Sequence, residues 1–542
     1  MAAMSPIFAS RAERIVEALL TADPQLAASV GDHRADHRLP DWSAEAVRGD
    51  AELLREASHT LAEVDADDLA PEDGVDLALL QQQVDQLLFA LTELREHEWN
   101  PLVHNPGPLL HHLLARPFAP AEVRLEALRS RLTALPDALA TARALLGDMP
   151  RVHVETAIGQ FGGVAAMVRG QVPALAAEVP GFEIEPAAAA AISALTEFTT
   201  WLTGRVDGAD RDPRLGRRVW EAKLWHTLDT ELSSREILDR AHRHLDQLTA
   251  EIHSAAGEML GVANPDTETV RRALAQLSAD RPADDTVVAV AADALAEATA
   301  FVRAHDLVTL VDDPLVIQEM PAFARGVAVA YCDPVGPLET AELPTFFAIA
   351  PTPADWSPER VTSFYREYNN HMMRNLTVHE AMPGHYLQLA RARRFRGSTP
   401  VRALCWSGTF IEGWAVYTEK LMADTGFGGL PVRLQQLKSH LRMTVNAILD
   451  QSVHCEGMTE SEAMRLMLDR GFQEEGEAAG KWRRTLLSST QLSTYFVGYT
   501  EVAAIAAARP ATTPPRAWHD AMLAHGSPAP RHLRTLLGID GS

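Results

Sequence analysis

Three residues in the stretch T-V-H-E-A-M-P-G-H-Y-L-Q, from Thr377 to Gln388, have the types that a hydrolytic zinc site uses: His379, Glu380 and His385. Neutral imidazole nitrogens bind the metal, and a neighbouring carboxylate can take a proton from water. The spacing departs from H-E-x-x-H, in which two His stand four apart on one helix face. Six residues at ~100° each would set His385 roughly 120° away from His379 on a regular helix. The backbone between them must therefore deform. Pro383 lacks an N–H, and its ring clashes with the carbonyl of His379 four residues back. Gly384 accepts the dihedrals that a distorted turn demands. The expected arrangement is a helix that runs to about Met382, kinks at Pro383-Gly384 and resumes near Tyr386 with both His turned inward.

A catalytic zinc takes a third ligand and keeps a fourth position open. F-I-E-G-W-A-V-Y-T-E, from Phe410 to Glu419, offers Glu412 on a second helix, after the loop-like R-F-R-G-S-T-P from Arg394 to Pro400. Glu412 and Glu419 share a helix face, so Glu419 can support a ligand His from behind the metal. Apolar neighbours Ile411, Trp414, Ala415 and Val416 argue against a solvated acidic stripe. An oxyanion donor is also required. Tyr495 is the first candidate, with Tyr499 and His454 as rivals. Arg442, Arg483 and Arg484 are candidates for a forked contact to a peptide carboxylate. Adjacent His111 and His112 diverge by about 100° on a helix and read as packing residues.

These groups need scaffolding, and most of it reads as helix. Apolar residues recur at helical spacing from Pro6 to about Ala304, as in Leu77, Leu80, Val84, Leu87, Leu88 and Leu91. Pro186 suits the first turn of a helix, and Ser233 to Glu236 reads as a capping box. After Asp306 the pattern changes to short β-branched or aromatic runs: L-V-T-L, D-P-L-V-I-Q-E-M, V-A-V-A-Y and T-F-F-A-I-A. The last run, Thr345 to Ala350, reads as a structural strand, with a strand edge that an extended peptide could join as the alternative. Helices are expected again at Pro358 to Asn375, Val401 to Asp424, Pro431 to His454, Thr459 to Asp469, Glu475 to Leu487 and Gln491 to Ala508. The expected fold is mainly α: a helical region over 1–305, then a small sheet and helical metal-site region over 306–542. They should form one integrated unit, with two lobes around a cleft as in zincins.

Composition narrows the function classes. With 49 basic and 73 acidic residues the net charge is −24, which disfavours nucleic acid and anionic lipid as partners. Cys332, Cys405 and Cys455 are too few and too far apart for a disulfide framework. The early charges of M-A-A-M-S-P-I-F-A-S-R-A-E-R leave no signal-peptide core, and no run reaches the ~20 apolar residues of a span. A cytoplasmic protein is expected.

The chain resembles a large bacterial family catalogued as domain of unknown function 885. The resemblance rests on A-D-P-Q-L-A-A-S-V-G-D-H-R, P-A-F-A-R-G-V-A-V-A-Y, H-E-A-M-P-G-H-Y-L-Q, E-G-W-A-V-Y-T-E and S-S-T-Q-L-S-T-Y-F-V-G. That family in turn resembles gluzincin-type metallopeptidases. The resemblance implies His379, His385 and Glu412 as zinc ligands and Glu380 as the catalytic carboxylate. The family's last motif more often has P-G-Q-A before its tyrosine. Here Ser489-Thr490-Gln491-Leu492 stands instead, with Gln491 and Tyr495 retained.

The expectation is thus a Zn2+-dependent hydrolase that cleaves short peptides. The alternative is a non-catalytic helical protein that binds a peptide or partner in the same cleft, its metal site structural or inactive.

Overall fold

Apolar stripes spaced for helices fold as helices in the computed structural model, which describes residues 5–325, 329–353 and 356–539. α1 (Ser5–Ala22), α2 (Pro24–Val30), α3 (Ala44–Ala62) and α4 (Pro71–Phe89) bury Phe8, Leu19, Leu61 and Leu80 together. The helical run that begins at Ser5 is divided at Asp23. That carboxylate accepts from the Gln25 and Leu26 N–H groups and starts α2, which Gly31 ends at φ 82°. α5 (Gly107–Ala115), α6 (Ala121–Leu145), α7 (Arg151–Ala176) and α8 (Glu185–Arg205) form a second core around Leu132, Phe161 and Phe198. Then come α9 (Arg217–Leu228), α10 (Ser234–Leu260), α11 (Thr267–Leu277) and α12 (Val287–Ala304). The capping box of Ser233 and Glu236 opens α10 as expected.

Three strands follow: β1 (Leu315–Glu319), β2 (Ala330–Asp333) and β3 (Thr345–Ile349). Their order is β1-β3-β2, with β1 parallel and β2 antiparallel to β3. One expectation is corrected here, and one alternative falls away. L-V-T-L forms no strand, because its backbone is held by side chains of a later helix. His519 donates to the Leu307 carbonyl at 2.7 Å, and Asp520 accepts the Thr309 N–H at 3.0 Å. Nor is Thr345–Ala350 an open edge: β3 is central and buried throughout. The edges are β1 and β2, and β2 begins later than V-A-V-A-Y suggests; Val327 and Ala328 lie outside the described residues, as do Met1 to Met4 of the N-terminal stretch.

The remainder is α13 (Pro358–Glu367), α14 (Asn370–Glu380), α15 (His385–Ala392), α16 (Val401–Leu404), α17 (Gly408–Thr425), α18 (Gly429–Glu456), α19 (Glu460–Arg465), α20 (Glu475–Leu487), α21 (Ser493–Ala507), α22 (Pro515–Met522) and α23 (Pro530–Leu536). Two helices expected as single pieces are divided by capping residues. The Asn369 side chain accepts from His371 and Met372 N–H and starts α14. Ser407 accepts from Phe410 N–H and starts α17.

The cores among the described residues draw on both sides of residue 305. Ala256 packs with Leu441 and Phe496 in one, Ala298 with Phe347 and Trp414 in another, and Leu61 with Val401 in a third. The change at 305 is therefore one of secondary structure, and packing continues through it. Among the described residues no helix is long and apolar enough to cross a membrane.

Candidate metal centre

The H-E-A-M-P-G-H stretch is broken rather than kinked. α14 stops at Glu380, two residues sooner than expected, and α15 starts at His385 itself. Between them the Met382–Pro383 peptide is cis, and the Gly384 N–H bonds the Val378 carbonyl at 2.9 Å. Gly384 has an ordinary φ of −74°, so glycine is required for space and not for a left-handed turn. A Cβ there would lie 1.9 Å from the His379 carbonyl oxygen and 2.4 Å from that of Val378. The turn is tied to α17 by Trp414, whose buried indole N–H donates to the Pro383 carbonyl at 2.9 Å.

The break brings His385 back to His379. Their rings stand edge to face with centroids 4.7 Å apart. Glu412 Oε2 lies 3.4 Å from His379 Nε2 and 3.5 Å from His385 Nε2. These are ion-pair distances, too long for good hydrogen bonds, and Glu412 Oε2 has no hydrogen-bond partner among the described residues although it is buried. Three donor atoms thus converge on one point. Behind His379, Nδ1 donates to Glu419 Oε1 at 2.7 Å, and Asn375 donates to Glu419 Oε2 at 2.6 Å. This fixes the tautomer that turns Nε2 towards Glu412.

The electrostatics favour positive charge at that point. Burial disfavours an imidazolium at His379, yet Glu412 and Glu419 outweigh it and hold its pKa well above the usual value. Burial likewise penalises the Glu412 carboxylate, and the two His overcome that to keep its pKa far below normal. Glu380 has the opposite balance: burial dominates the attraction of His379 and His385, and its pKa is raised. Two imidazoles and an orphaned carboxylate oxygen, with further carboxylates nearby, make a donor set that fits a divalent zinc ion. A second grouping, His33, Asp36 and His112, is also close. Both His33 nitrogens are already committed there, to Asp36 at 2.8 Å and Glu339 at 2.7 Å.

The two other elements of the site meet through glycines. α17 crosses α21 so closely that a Cβ on Gly413 would lie 2.4 Å from Gly498 backbone, and one on Gly498 2.0 Å from the Thr409 carbonyl oxygen. This crossing sets Tyr495 opposite Glu412, with the Tyr495 and His379 ring centroids 6.4 Å apart. The Tyr495 oxygen accepts from Arg484 at 3.0 Å and Gln491 at 3.2 Å. With both lone pairs engaged, its own proton is left to donate elsewhere.

The other oxyanion candidates are placed elsewhere. His454 donates from Nε2 to the Thr485 and Ser488 carbonyls at 2.9 and 3.0 Å, and its Nδ1 accepts from Leu215 N–H. It lines a separate cavity and is corrected to a structural residue. Tyr499 packs its ring against His440. Arg483 bonds Glu155 and Thr156, and Arg442 bonds Tyr368 and Glu477. His111 packs on Phe323 and His112 on Phe118. Asn375 and Trp414 are the site residues that sequence reasoning missed. Asn375 had a signal, standing four residues before His379 on the same helix face.

The centre lies in a cavity of about 860 Å3 lined by α7, β2, α14, α17, α20 and Tyr495. Val329 O accepts from Ala350 N–H at 2.7 Å. By antiparallel alternation, the Ala330 and Cys332 N–H and C=O groups turn to the outer edge of the sheet.

Solved structures share this fold. One, "a putative lipoprotein of unknown function from Shewanella oneidensis", is 26% identical, with a TM-score of 0.78 over 98% of this chain and 99% of that one. A second, "the putative lipoprotein from Colwellia psychrerythraea", is 15% identical with a TM-score of 0.79, covering 99% of each chain. No curated protein matches the chain. A family model described as "Bacterial protein of unknown function (DUF885)" matches residues 24–537, and the chain belongs to that family.

Proposed function

We propose that this protein is a zinc-dependent hydrolase of short peptides, resembling gluzincins in its ligand set and in a two-lobed cleft. The observation that carries the reading is the convergence of His379 Nε2, His385 Nε2 and Glu412 Oε2 beside the buried Glu380 carboxylate. Zinc held by those three atoms would supply Lewis acidity to a water and to the scissile carbonyl.

The chain's own residues account for the rest. Glu380 lines the cavity without a hydrogen-bond partner among the described residues, and burial raises its proton affinity. A carboxylate in that state can take a proton from water on its Oε and release it to the leaving amine, work that contributes ~10²–10⁴-fold. Tyr495 offers its free O–H to the developing oxyanion. The outer edge of β2 can receive an extended peptide by main-chain hydrogen bonds.

The test is hydrolysis of a short-peptide mixture by the zinc-supplied chain, followed by mass spectrometry. Cleavage that Glu380→Gln abolishes while zinc stays bound supports the reading. Peptide binding without turnover would instead favour a non-catalytic binding protein.

A cytoplasmic location belongs to the same proposal, supported by the three unpaired cysteines. The lipoprotein description of the solved relatives points to a membrane-anchored location instead. Fractionation of cells expressing the full-length gene distinguishes the two.

A further inference from the structure

Withdrawing a cation from water favours a counter-charge, and the buried and half-buried basic groups in and near the cavity mostly have one. Lys438 pairs with Glu367 at 2.8 Å, and Arg442 sits 3.4 Å from Glu477. Arg484 is the exception. Among the described residues its hydrogen bonds run to the neutral oxygens of Gln491 and Tyr495 alone, at 2.9 and 3.0 Å. Among the described residues no carboxylate stands within ion-pair distance of its guanidinium. Three residues earlier on α20, and so on the same helix face, Lys481 also lines the cavity. Its Nζ forms no hydrogen bond among the described residues and has only Glu477, already shared with Arg442 and Tyr368, at 3.9 Å. Two basic side chains therefore face the cavity with one over-committed carboxylate near them, and burial beside Arg484 and Arg442 pushes the Lys481 ammonium down to about 7.

The position suggests what completes them. The His379 and Tyr495 rings are 6.4 Å apart, and the Arg484 guanidinium carbon lies 5.9 Å from the Tyr495 ring. Extended peptide advances ~3.5 Å per residue, so an anion on Arg484 sits roughly one to three residues from the metal centre.

We propose that Arg484, assisted by Lys481, binds the C-terminal carboxylate of a peptide and so directs cleavage to within about three residues of the chain end. This rests on the hydrolase reading above and makes the protein a carboxy-end exopeptidase. Guanidinium suits the role because its planar fork matches a carboxylate. Arg484 is a binding residue here; through Tyr495 it also positions the oxyanion donor.

The experiment compares N-acetyl-trialanine with its C-terminal amide as ligands of the zinc-supplied full chain, by calorimetry, and as substrates. The free acid should bind about 10- to 100-fold more tightly, as expected for a charge-assisted contact. Arg484→Gln should bring acid and amide to equal affinity, and Lys481→Gln should narrow the gap. Because Arg484 also touches Tyr495, the acid-to-amide ratio is the readout and not the absolute rate. Equal binding of acid and amide by the wild type overturns the proposal, as does a preference that survives Arg484→Gln. Preference without turnover leaves this assignment standing and defeats the hydrolase reading; turnover without preference does the reverse.

Discussion

Each residue of the centre has one task that a single substitution can isolate. Glu419 touches no substrate: it holds His379 Nδ1 at 2.7 Å and is itself held by Asn375. Glu419→Gln keeps the shape but removes the charge, and should weaken zinc binding by about 10- to 100-fold. Competition with a zinc chelator measures this, and unchanged affinity would remove Glu419 from the site. Tyr495→Phe tests the oxyanion donor. It should lower kcat by about 10²–10³ with little change in KM, whereas His454→Phe should change stability but leave KM alone. At this scale the sequence was informative where a group's chemistry depends on its own helix. His379, Glu412 and Glu419 follow from residue type and helical spacing. The engagement of Tyr495 by Arg484 and Gln491 does not, because it joins α20 to α21 across space. His454 misled for the same reason: its carbonyl partners belong to α20 and the residue after it.

The elements position these residues through two close contacts. At the α17–α21 crossing, Gly413 and Gly498 have no room for a Cβ. Gly413→Ala should destabilise the fold by about 1–3 kcal/mol through overpacking, seen as an earlier thermal transition; an unshifted transition would mean the crossing is looser than described. Trp414→Phe keeps most of the ring and deletes the donor to the Pro383 carbonyl. It should cost about 1–3 kcal/mol, the penalty of an unsatisfied buried acceptor, and loosen zinc binding by freeing the turn between the two His. Periodicity located the long helices and Glu475–Leu487 to the residue. It failed at breaks made by one capping side chain, as at Asn369 and Ser407. It anticipated a deformation at Pro383-Gly384 but not a full break, since the contact of Gly384 with the end of α14 is tertiary. The strand expected at Leu307–Leu310 was lost to side-chain partners on α22 that no local pattern announces.

At the scale of the molecule, the connection from β2 to β3 is fastened to the N-terminal helices. Leu338 N–H bonds the Val30 carbonyl at 2.8 Å, and His33 joins Asp36 to Glu339. Burial alone would lower the His33 pKa, but its hydrogen bonds to the two carboxylates prevail and raise it above 6.5. The imidazolium therefore stabilises the fold fully below about 6.5 and ceases to do so as pH rises through its higher folded value. The stability difference between wild type and His33→Gln, from denaturant melts, should be larger at pH 6 than at pH 9. A pH-independent difference would mean the clamp carries no charge. The N-terminal half also lines the cavity through α7, around a centre whose ligands all lie in the C-terminal half. That centre is the core of the account, and metal content tests it most directly. Chain purified and dialysed after exposure to zinc should hold about one ion per molecule, and Glu412→Ala or His385→Ala should lose it while remaining folded by circular dichroism. A wild-type chain that retains no zinc, or a folded Glu412→Ala chain that retains it fully, would contradict the account.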